Sequence, residues 1–235
     1  MPPEKLILIS DVHSNLHALE AVKTDIARRG LSGAPLCFLG DAVDMGPFPA
    51  EAVDLLRSMS PAFRVRGNHD RYVSMDSPRA ELERYFRCPE GADHSEWTSA
   101  ALTAGAKEWL GSAPLAASLD LGGVRFRVFH ASEDCDEHPL DQEAASGNIL
   151  CGHIHSPYVR AGSGGTLVIN PGSVGSSLDG NPAASYALLT VNGAVEAEII
   201  RVPYDLEAYS GAIRRLKVPW GGVIDSVVRK ASLGR

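Results

Sequence analysis

Hydrophobic positions in the first seventy residues alternate between two kinds of pattern. Residues 5–9 and 36–39 are continuous apolar runs, and residues 63–65 are a shorter run of the same kind, as expected for buried strands. Residues 17–29 and 49–59 instead place their apolar side chains at helical spacing. The order strand, helix, strand, helix, strand predicts a βαβαβ unit, which favours a parallel sheet.

The pattern changes after residue 75. Strand signals stop between residues 75 and 114, where helices are predicted around 79–86 and 95–110, so we interpret this segment as a helical insert. Beyond it, two pairs of alternating runs are each joined by a turn pair, Gly122-Gly123 in the first and Asn192-Gly193 in the second. Such pairs are typical of β-hairpins, so the second half of the chain is predicted to be antiparallel.

Length and composition indicate an ordinary globular protein. The 235 residues are 44% hydrophobic and 22% charged, which excludes a disordered or fibrous chain. We expect a single domain over residues 1–235, with C-terminal helices at about 205–231. No apolar stretch approaches the roughly 20 residues that cross a bilayer, and the start lacks the pattern of a secretion signal. The four cysteines show no CxxC spacing, so the sequence predicts a protein of the reducing cytoplasm with no membrane partner.

The net charge of the chain limits the classes of partner that it is expected to bind. The chain has 22 Lys and Arg against 29 Asp and Glu, which gives a net charge of −7 at pH 7. A surface of this sign repels phosphate backbones, so nucleic acid is disfavoured as a general partner. Acidic residues gathered in a cleft would instead favour cations.

Candidate metal ligands follow the predicted strands in five short segments. These are Asp11-Val12-His13, Gly40-Asp41-Ala42-Val43-Asp44, Gly67-Asn68-His69-Asp70, His130, and Gly152-His153-Ile154-His155. Ligands of α/β sheets bind outside the carboxyl ends of strands, so we expect these segments to converge. In an extended chain, residues i and i+2 project to the same side, so Asp11 with His13, and His153 with His155, would each aim two ligands at one point.

The donor types predict the kind of ion. Mixed imidazole and carboxylate ligands suit Mn, Fe, Co, Ni or Zn better than Ca or Mg. Seven such groups exceed the needs of one four-coordinate ion, and a carboxylate can bridge two, so two ions about 3.5–4 Å apart are predicted. His69, which follows the expected ligand Asn68, would protonate a leaving alkoxide or stabilise charge, and Asp44 would orient it.

Taken in order, the five segments resemble the five motifs of the calcineurin-like metallophosphoesterases. The segment Asn170-Pro171-Gly172-Ser173-Val174-Gly175 is similar to the small bacterial and archaeal branch of that superfamily. The resemblance covers about residues 5–200 without the insert. It implies an α/β fold, a four-layer αββα sandwich of two mixed β-sheets flanked by helices.

The resemblance also implies roles for individual residues. One ion would be held by Asp11, His13 and His155, the other by Asn68, His130 and His153, with Asp41 bridging them. His69 would be the acid or transition-state stabiliser. Asn15 would contact substrate or support a ligand, although Asn after a strand is also a common turn residue. Apart from the resemblance, Arg71 flanks the third segment and would attract phosphate, although an Arg beside acidic residues is usually a solvated ion pair.

We therefore expect a dinuclear metal-dependent phosphoesterase that hydrolyses a small-molecule phosphodiester or phosphomonoester, with hydroxide held between the ions as nucleophile. Mn²⁺ is the expected metal, with Fe, Zn, Ni or Co as alternatives. Met45-Gly46 stands where protein phosphatases of the superfamily have Arg-Gly, which disfavours a phosphoprotein substrate. The alternatives are a dinucleoside polyphosphate hydrolase, a protein phosphatase-like enzyme and a non-catalytic scaffold of the same fold; a homo-oligomer is left open.

Overall fold

Helices and strands alternate along most of the chain in the computed structural model, which describes residues 4–75, 77–141, 146–161 and 166–233. In chain order the elements are β1 (Glu4–Ile9), α1 (Leu16–Arg28), β2 (Leu36–Phe38), α2 (Pro49–Ser58), β3 (Phe63–Arg64), α3 (Asn68–Ser74), α4 (Arg79–Phe86), α5 (Pro89–Ala101), α6 (Ala104–Gly111), β4 (Ala116–Leu121), β5 (Val124–Phe129), β6 (Asn148–Leu150), β7 (Tyr158–Ala161), β8 (Leu167–Asn170), β9 (Ala184–Val191), β10 (Val195–Val202), α7 (Leu206–Arg215) and α8 (Gly221–Lys230). Among the described residues, none of the helices has the length and apolar character needed to cross a bilayer.

The first sheet has the strand order β10-β9-β1-β2-β3. Its strands β1, β2 and β3 are parallel, with Leu8 opposite Cys37 and Cys37 opposite Phe63. The predicted βαβαβ unit is therefore confirmed. On the other side of β1, the hairpin of β9 and β10 adds two antiparallel strands, with Leu6 opposite Leu189.

The second sheet has the order β4-β5-β6-β8-β7. Strands β5, β6 and β8 are parallel, and β4 and β7 pair antiparallel at the two edges. The prediction that the second half of the chain is antiparallel was therefore wrong for these three central strands, which are joined by longer connections than the hairpin turns seen in the sequence. The turn between β4 and β5 is formed by Gly122 and Gly123, both with positive φ, as the turn of a tight hairpin requires. Both sheets are mixed and helices flank them, so the predicted architecture is confirmed.

The core lies on both faces of β1. Leu6 and Leu8 pack between the two sheets against residues such as Phe126 of β5. Ile7 and Ile9 point the other way and pack against α1 and α2. Successive side chains of a strand face opposite sides, so the continuous apolar run at residues 5–9 fills both layers.

The helical region differs from the sequence prediction in two respects. The single stretch expected at 95–110 is wrong in its bounds, since α5 begins at Pro89 and a separate α6 begins at Ala104. Thr103 separates α5 from α6, because its side chain accepts a hydrogen bond from the backbone N–H of Ala106 and so caps the start of α6. The sequence analysis also missed α3, whose seven residues follow Gly67 directly.

Candidate metal centre

The five candidate segments all follow strands, as predicted, and they draw on both sheets. Strands β1, β2 and β3 of the first sheet lead to Asp11, Asp41 and Asn68. Strands β5 and β6 of the second sheet lead to His130 and His153. The candidate centre therefore lies where the carboxyl ends of parallel strands from two packed sheets meet.

The backbone at residues 11–13 and 153–155 is not extended, so the prediction that strand alternation aims each pair of side chains at one point was wrong. Asp11 and His13 have φ values of 54° and 49°, and His153 and His155 have values of 72° and 57°. These values lie in the left-handed region, which costs a non-glycine residue of order 1–3 kcal/mol. Turns, rather than strand alternation, therefore aim these side chains into the centre.

Asp11, His13 and His155 form the first group. His13 Nε2 lies 3.0 Å from His155 Nε2, and His155 Nε2 lies 3.3 Å from Asp11 Oδ1. Each histidine is fixed through its other ring nitrogen, Nδ1 of His13 at 3.2 Å from the Val43 carbonyl oxygen and Nδ1 of His155 at 2.6 Å from that of Ser176. These three residues form a cluster whose donor atoms are close enough to hold one metal ion.

A second group forms around Asp41. Its Oδ2 lies 3.1 Å from His130 Nε2, and His153 Nδ1 lies 3.3 Å from the same His130 nitrogen. Asp41 Oδ2 also lies 3.8 Å from His13 Nε2, so this carboxylate stands between the two groups. Its other oxygen accepts a hydrogen bond from the backbone N–H of His69 at 2.9 Å, which fixes its orientation.

Asn68 is the predicted ligand for which the structure gives the least direct support. Its side chain is fully buried, and its carbonyl oxygen Oδ1 accepts no hydrogen bond from the residues that the structure describes. A buried oxygen without a donor is unfavourable unless a ligand completes it. The combined set of carboxylates, imidazoles and this amide oxygen fits a divalent transition-metal ion.

The carboxylates carry their charge. Burial raises the pKa of the Asp11 carboxyl, but the imidazoles of His155 and His130 outweigh burial and lower it to about 2. Burial likewise opposes ionisation of Asp41, yet His130 and His69 hold its pKa well below the usual range. Both groups are therefore anionic near neutral pH, as metal ligation requires.

Two of the imidazoles are neutral. Burial and the neighbouring His155 lower the pKa of His13 to about 3, and burial and His130 lower the pKa of His153 to about 4. A neutral imidazole keeps a lone pair for a metal ion. His130 behaves differently: burial lowers its pKa, but the charge of Asp41 raises it more, to about 10.

His69 lies beside the metal-ligand groups and pairs with Asp44. Its Nδ1 is 3.0 Å from Asp44 Oδ2, and both side chains are buried. Burial lowers the pKa of His69, but the carboxylates of Asp41 and Asp44 outweigh burial, so its pKa lies above the ordinary value. The sequence analysis missed Tyr85 of α4, whose hydroxyl lies 3.5 Å from the other nitrogen of His69.

Two glycines make the close approach of the segments possible. A Cβ at Gly67 would lie 2.0 Å from Asp41 Oδ1, and a Cβ at Gly152 would lie 2.1 Å from Ser10 Oγ and 3.0 Å from Asp11 Oδ2. Only glycine fits where the backbone passes so near a carboxylate. The glycines of the third and fifth segments are therefore part of the packing of the centre.

Other polar residues brace the loops. Asp70 accepts backbone hydrogen bonds from Asp41 through Oδ2 at 2.9 Å and from Ala42 through Oδ1 at 2.8 Å. Ser173 donates from its hydroxyl to the Asp11 carbonyl at 2.7 Å, and Asn170 donates from Nδ2 to the Gly152 carbonyl at 2.6 Å. The segment Asn170–Gly175, known from the sequence only by its resemblance, thus holds the first and fifth segments together.

The two predicted substrate-binding residues have other partners. The three guanidinium nitrogens of Arg71 contact carboxylates of Asp136, Glu81 and Glu137 at 2.9, 2.6 and 2.6 Å. The side chain of Asn15 accepts a hydrogen bond from the Ala18 N–H at 3.1 Å, which caps α1, and donates to the Gly175 carbonyl at 2.9 Å. These contacts support structural roles, and contact with substrate stays a prediction for both.

Comparisons with known proteins agree with the family resemblance seen in the sequence motifs. Residues 5–194 match the family model of the calcineurin-like phosphoesterase superfamily domain. An uncharacterized protein of Methanocaldococcus jannaschii is 31% identical over 248 aligned positions, covering 94% of this chain and 97% of the relative.

Two solved structures cover almost the whole chain. A metallophosphoesterase from Sphaerobacter thermophilus is 27% identical, with a TM-score of 0.76 over 97% of this chain and 99% of that one. A hypothetical protein from Pyrococcus horikoshii OT3 shares the fold, with a TM-score of 0.81 at 17% identity over 98% of this chain and 99% of that one. Because the family model spans most of its length, the chain belongs to the metal-dependent calcineurin-like phosphoesterase superfamily.

Proposed function

We propose that this protein is a dinuclear metal-dependent phosphoesterase that hydrolyses a small-molecule phosphodiester or phosphomonoester. The observation that carries the proposal is the convergence of buried donors from both sheets around Asp41, beside a buried histidine, His69, that pairs with Asp44 and is not one of the proposed ligands. Family membership supports phosphoric ester hydrolysis as the reaction class. Residues 1–235 are proposed to form a single metallophosphoesterase domain with an insert at about 75–114, located in the cytoplasm.

The proposed ligands divide between two ions. Asp11, His13 and His155 would hold one ion, as their close cluster supports. Asn68, His130 and His153 would hold the other. Asp41 would serve both, because its Oδ2 lies within 4 Å of a nitrogen from each group.

Two bound divalent ions would supply Lewis acidity, which lowers the pKa of water and neutralises the charge of a phosphoryl group. Within the chain, His69 would donate a proton to the departing oxygen from Nε2, since Nδ1 is engaged with Asp44. Asp44 would keep that orientation and favour the protonated ring, consistent with the raised pKa of His69. Both His69 and Asp44 are buried, and this burial excludes water from the pair.

Reconstitution tests the proposal directly. The purified protein would be stripped of metal with a chelator and then loaded with Mn²⁺, Fe²⁺, Zn²⁺, Ni²⁺ or Co²⁺ in parallel. We expect turnover of bis(4-nitrophenyl) phosphate or 4-nitrophenyl phosphate to return with at least one metal, and Mn²⁺ is the metal expected to be best. No turnover of either ester with any of the metals, despite bound ions, would reject the enzyme and favour a non-catalytic scaffold.

The substrate class is proposed on charge and on the absence of particular residues from the motifs. Met45 and Gly46 replace the Arg-Gly pair of protein phosphatases, so the second segment lacks that phosphate-binding guanidinium. The acidic net charge of −7 disfavours polynucleotides. A panel of cyclic nucleotides, nucleoside monophosphates, dinucleoside polyphosphates and phosphopeptides would separate small esters from the alternatives, and preferred turnover of a phosphopeptide would overturn this assignment.

A further inference from the structure

Aromatic side chains gather beside His69, although the chain is only 6% aromatic. The ring centroids of Tyr72, Tyr85 and Phe86 lie 5.6, 5.4 and 5.7 Å from that of His69. Phe86 extends the cluster to Trp220 at the start of α8, with 5.8 Å between the ring centroids. None of these rings is among the proposed metal ligands, so the cluster serves packing, substrate contact or both.

The cluster has a buried part and an open part. Tyr72 is 2% exposed and its hydroxyl donates to Glu137 at 2.7 Å, so this ring serves packing. Tyr85 and Phe86 lie in the last turn of α4, with their ring centroids 5.2 Å apart. Both are only half-buried, so part of each ring is open to a ligand.

The hydroxyl of Tyr85 lies next to the atom of His69 that faces the proposed reaction. It is 3.5 Å from His69 Nε2, whereas Nδ1 of the same ring contacts Asp44. An oxygen that accepts a proton from Nε2 lies within about 3 Å of it. The organic group bonded to that departing oxygen would therefore lie beside Tyr85.

Helix α4 is fixed against its neighbours by packing and by charge. Its Leu82 is buried in a cluster with Tyr72 of α3. Glu81 contacts Arg71 of α3 with 2.6 Å between oxygen and nitrogen. Tyr85, which lies one turn after Leu82, is thus in place before a ligand binds, and such preorganisation lowers the cost of binding.

An aromatic face beside a charged centre favours a ligand with the same division. The phosphoryl group of such a ligand would meet the charged centre, and its leaving group would meet Tyr85 and Phe86. Aromatic rings attract one another in offset-stacked or edge-to-face contacts, with centroids about 4.5–7 Å apart. A small alkyl leaving group would cover little of this face.

We propose that Tyr85, together with Phe86, binds the leaving group of the substrate, and that this leaving group carries an aromatic ring. The inference rests on the proposed function, because it names the substrate class of the same site. It gives the insert a part in specificity that the motifs do not assign.

Two phosphonates that cannot be hydrolysed test binding without turnover. Benzylphosphonate has CH₂ in place of the ester oxygen of phenyl phosphate, and ethylphosphonate has it in place of that of methyl phosphate. By titration calorimetry, we expect the Mn²⁺-loaded protein to bind benzylphosphonate about 10-fold more tightly than ethylphosphonate.

Three variants assign this preference to the ring of Tyr85. Tyr85→Ala removes the ring, so we expect the preference to fall by about 5-fold or more. Tyr85→Phe keeps the ring and should keep the preference. Tyr72→Phe is the matched control, because it removes a hydroxyl that contacts Glu137, and it should behave like the wild type. If Tyr85→Ala does not fold, Tyr85→Leu replaces it, since leucine packs in the cluster without a ring.

Turnover gives a second readout. The wild type and the variants are compared by kcat/KM on phenyl phosphate and methyl phosphate and, for diester hydrolysis, on the methyl esters of both. The ratio between variant and wild type cancels the difference in intrinsic reactivity of the esters. We expect Tyr85→Ala to lose about 10-fold on the phenyl esters and clearly less on the methyl esters.

The outcomes separate this inference from the proposed function. Equal affinity of the wild type for the two phosphonates would overturn the inference. An equal loss on both in Tyr85→Ala would make Tyr85 a packing residue, and tighter binding of benzylphosphonate would make it a barrier, so either result would also overturn it. If the wild type hydrolyses none of these esters and neither nitrophenyl ester, the proposed function fails, while the phosphonate affinities still decide whether Tyr85 binds an aromatic group.

Discussion

Individual residues at the candidate centre meet two conditions that folding disfavours. The ionised carboxylates of Asp11 and Asp41 are buried, and the ligand segments contain non-glycine residues with left-handed backbone. Each condition costs free energy when taken alone. Neighbouring imidazoles offset part of the first cost, and a cation bound at this centre would compensate the two carboxylates further.

His69→Ala should separate chemistry from metal binding. His69 contacts Asp44 rather than serving as a proposed ligand, so we expect the variant to bind two ions while its kcat falls about 10²–10⁴-fold. Metal content by mass spectrometry and turnover of a nitrophenyl ester would be measured on the same sample. Loss of metal together with activity would show that His69 acts as a ligand, contrary to the assignment.

Asp70→Asn should destabilise the second segment. Asp70 uses both oxygens to accept backbone N–H groups, and an asparagine would turn its NH₂ group toward one of them. An unsatisfied buried donor costs about 1–3 kcal/mol, which corresponds to roughly 2–4 °C in Tm per kcal/mol for a chain of this size. Thermal unfolding of the metal-free protein would measure this loss.

The exposed Asp54 gives the matched control for that substitution. Asp54→Asn on the surface of α2 should change the free energy of unfolding by less than about 0.5 kcal/mol. Equal Tm values for the wild type, Asp54→Asn and Asp70→Asn would show that the contacts of Asp70 do not stabilise the fold.

Sequence alone identified the side chains that converge here, because their types and their position after strands are both visible in the chain. It did not identify Tyr85. This residue does not follow a predicted strand or have a ligand-like spacing, and its hydroxyl reaches His69 only through the packing of α4. Residues that act through tertiary contact leave no local signal in one sequence.

At the scale of elements, Asp25 joins α1 to the first sheet. It is buried and accepts hydrogen bonds from the Tyr186 hydroxyl of β9 at 2.9 Å and from Arg29 Nε at 2.8 Å. Burial opposes ionisation of Asp25, but the hydrogen bonds from Arg28, Tyr186 and Arg29 outweigh burial and lower its pKa. The ionised carboxylate therefore stabilises the packing of this helix on the sheet.

That shift predicts a pH-dependent effect of Asp25→Asn. Because the folded-state pKa is lower than that of the unfolded chain, the contribution of Asp25 is complete above about pH 4 and is lost as the pH falls through the folded-state pKa. We expect the variant to be less stable by about 1–3 kcal/mol at pH 7. The gap from the wild type should narrow below about pH 4, as measured by urea unfolding, and a gap independent of pH would contradict this account.

Elements with a strong period, or short strands inside the predicted βαβαβ unit, could be predicted, and other short strands could not. No bounds were predicted for β6, β7 or β8, which have three or four residues each and thus too few positions to show alternation. Helix α3 was missed because it has only seven residues and begins with the three polar residues of the third segment, Asn68, His69 and Asp70, so it shows no apolar period. The length and residue types of an element, rather than its importance to the centre, decided whether it could be predicted from the sequence.

At the scale of the whole molecule, the centre joins the two sheets. Asp11, Asp41 and Asn68 follow strands of the first sheet, while His130 and His153 follow strands of the second. A ligand held by all of them contacts both halves of the chain at once. Its binding free energy therefore adds to the free energy that separates the folded from the unfolded protein.

Metal binding should thus raise the stability of the entire fold, and Asp41→Asn should largely remove that effect. At a free Mn²⁺ concentration of about 100 times Kd, the expected gain is about 2.7 kcal/mol. For a chain of this size, that gain corresponds to an increase in Tm of roughly 5–10 °C. The measurement is thermal unfolding with and without Mn²⁺, with a chelator to reverse the shift and His69→Ala as the control that should keep it. Equal shifts in the wild type and Asp41→Asn would place the stabilising ion elsewhere, because Asp41 Oδ2 lies between the His13 and His130 groups.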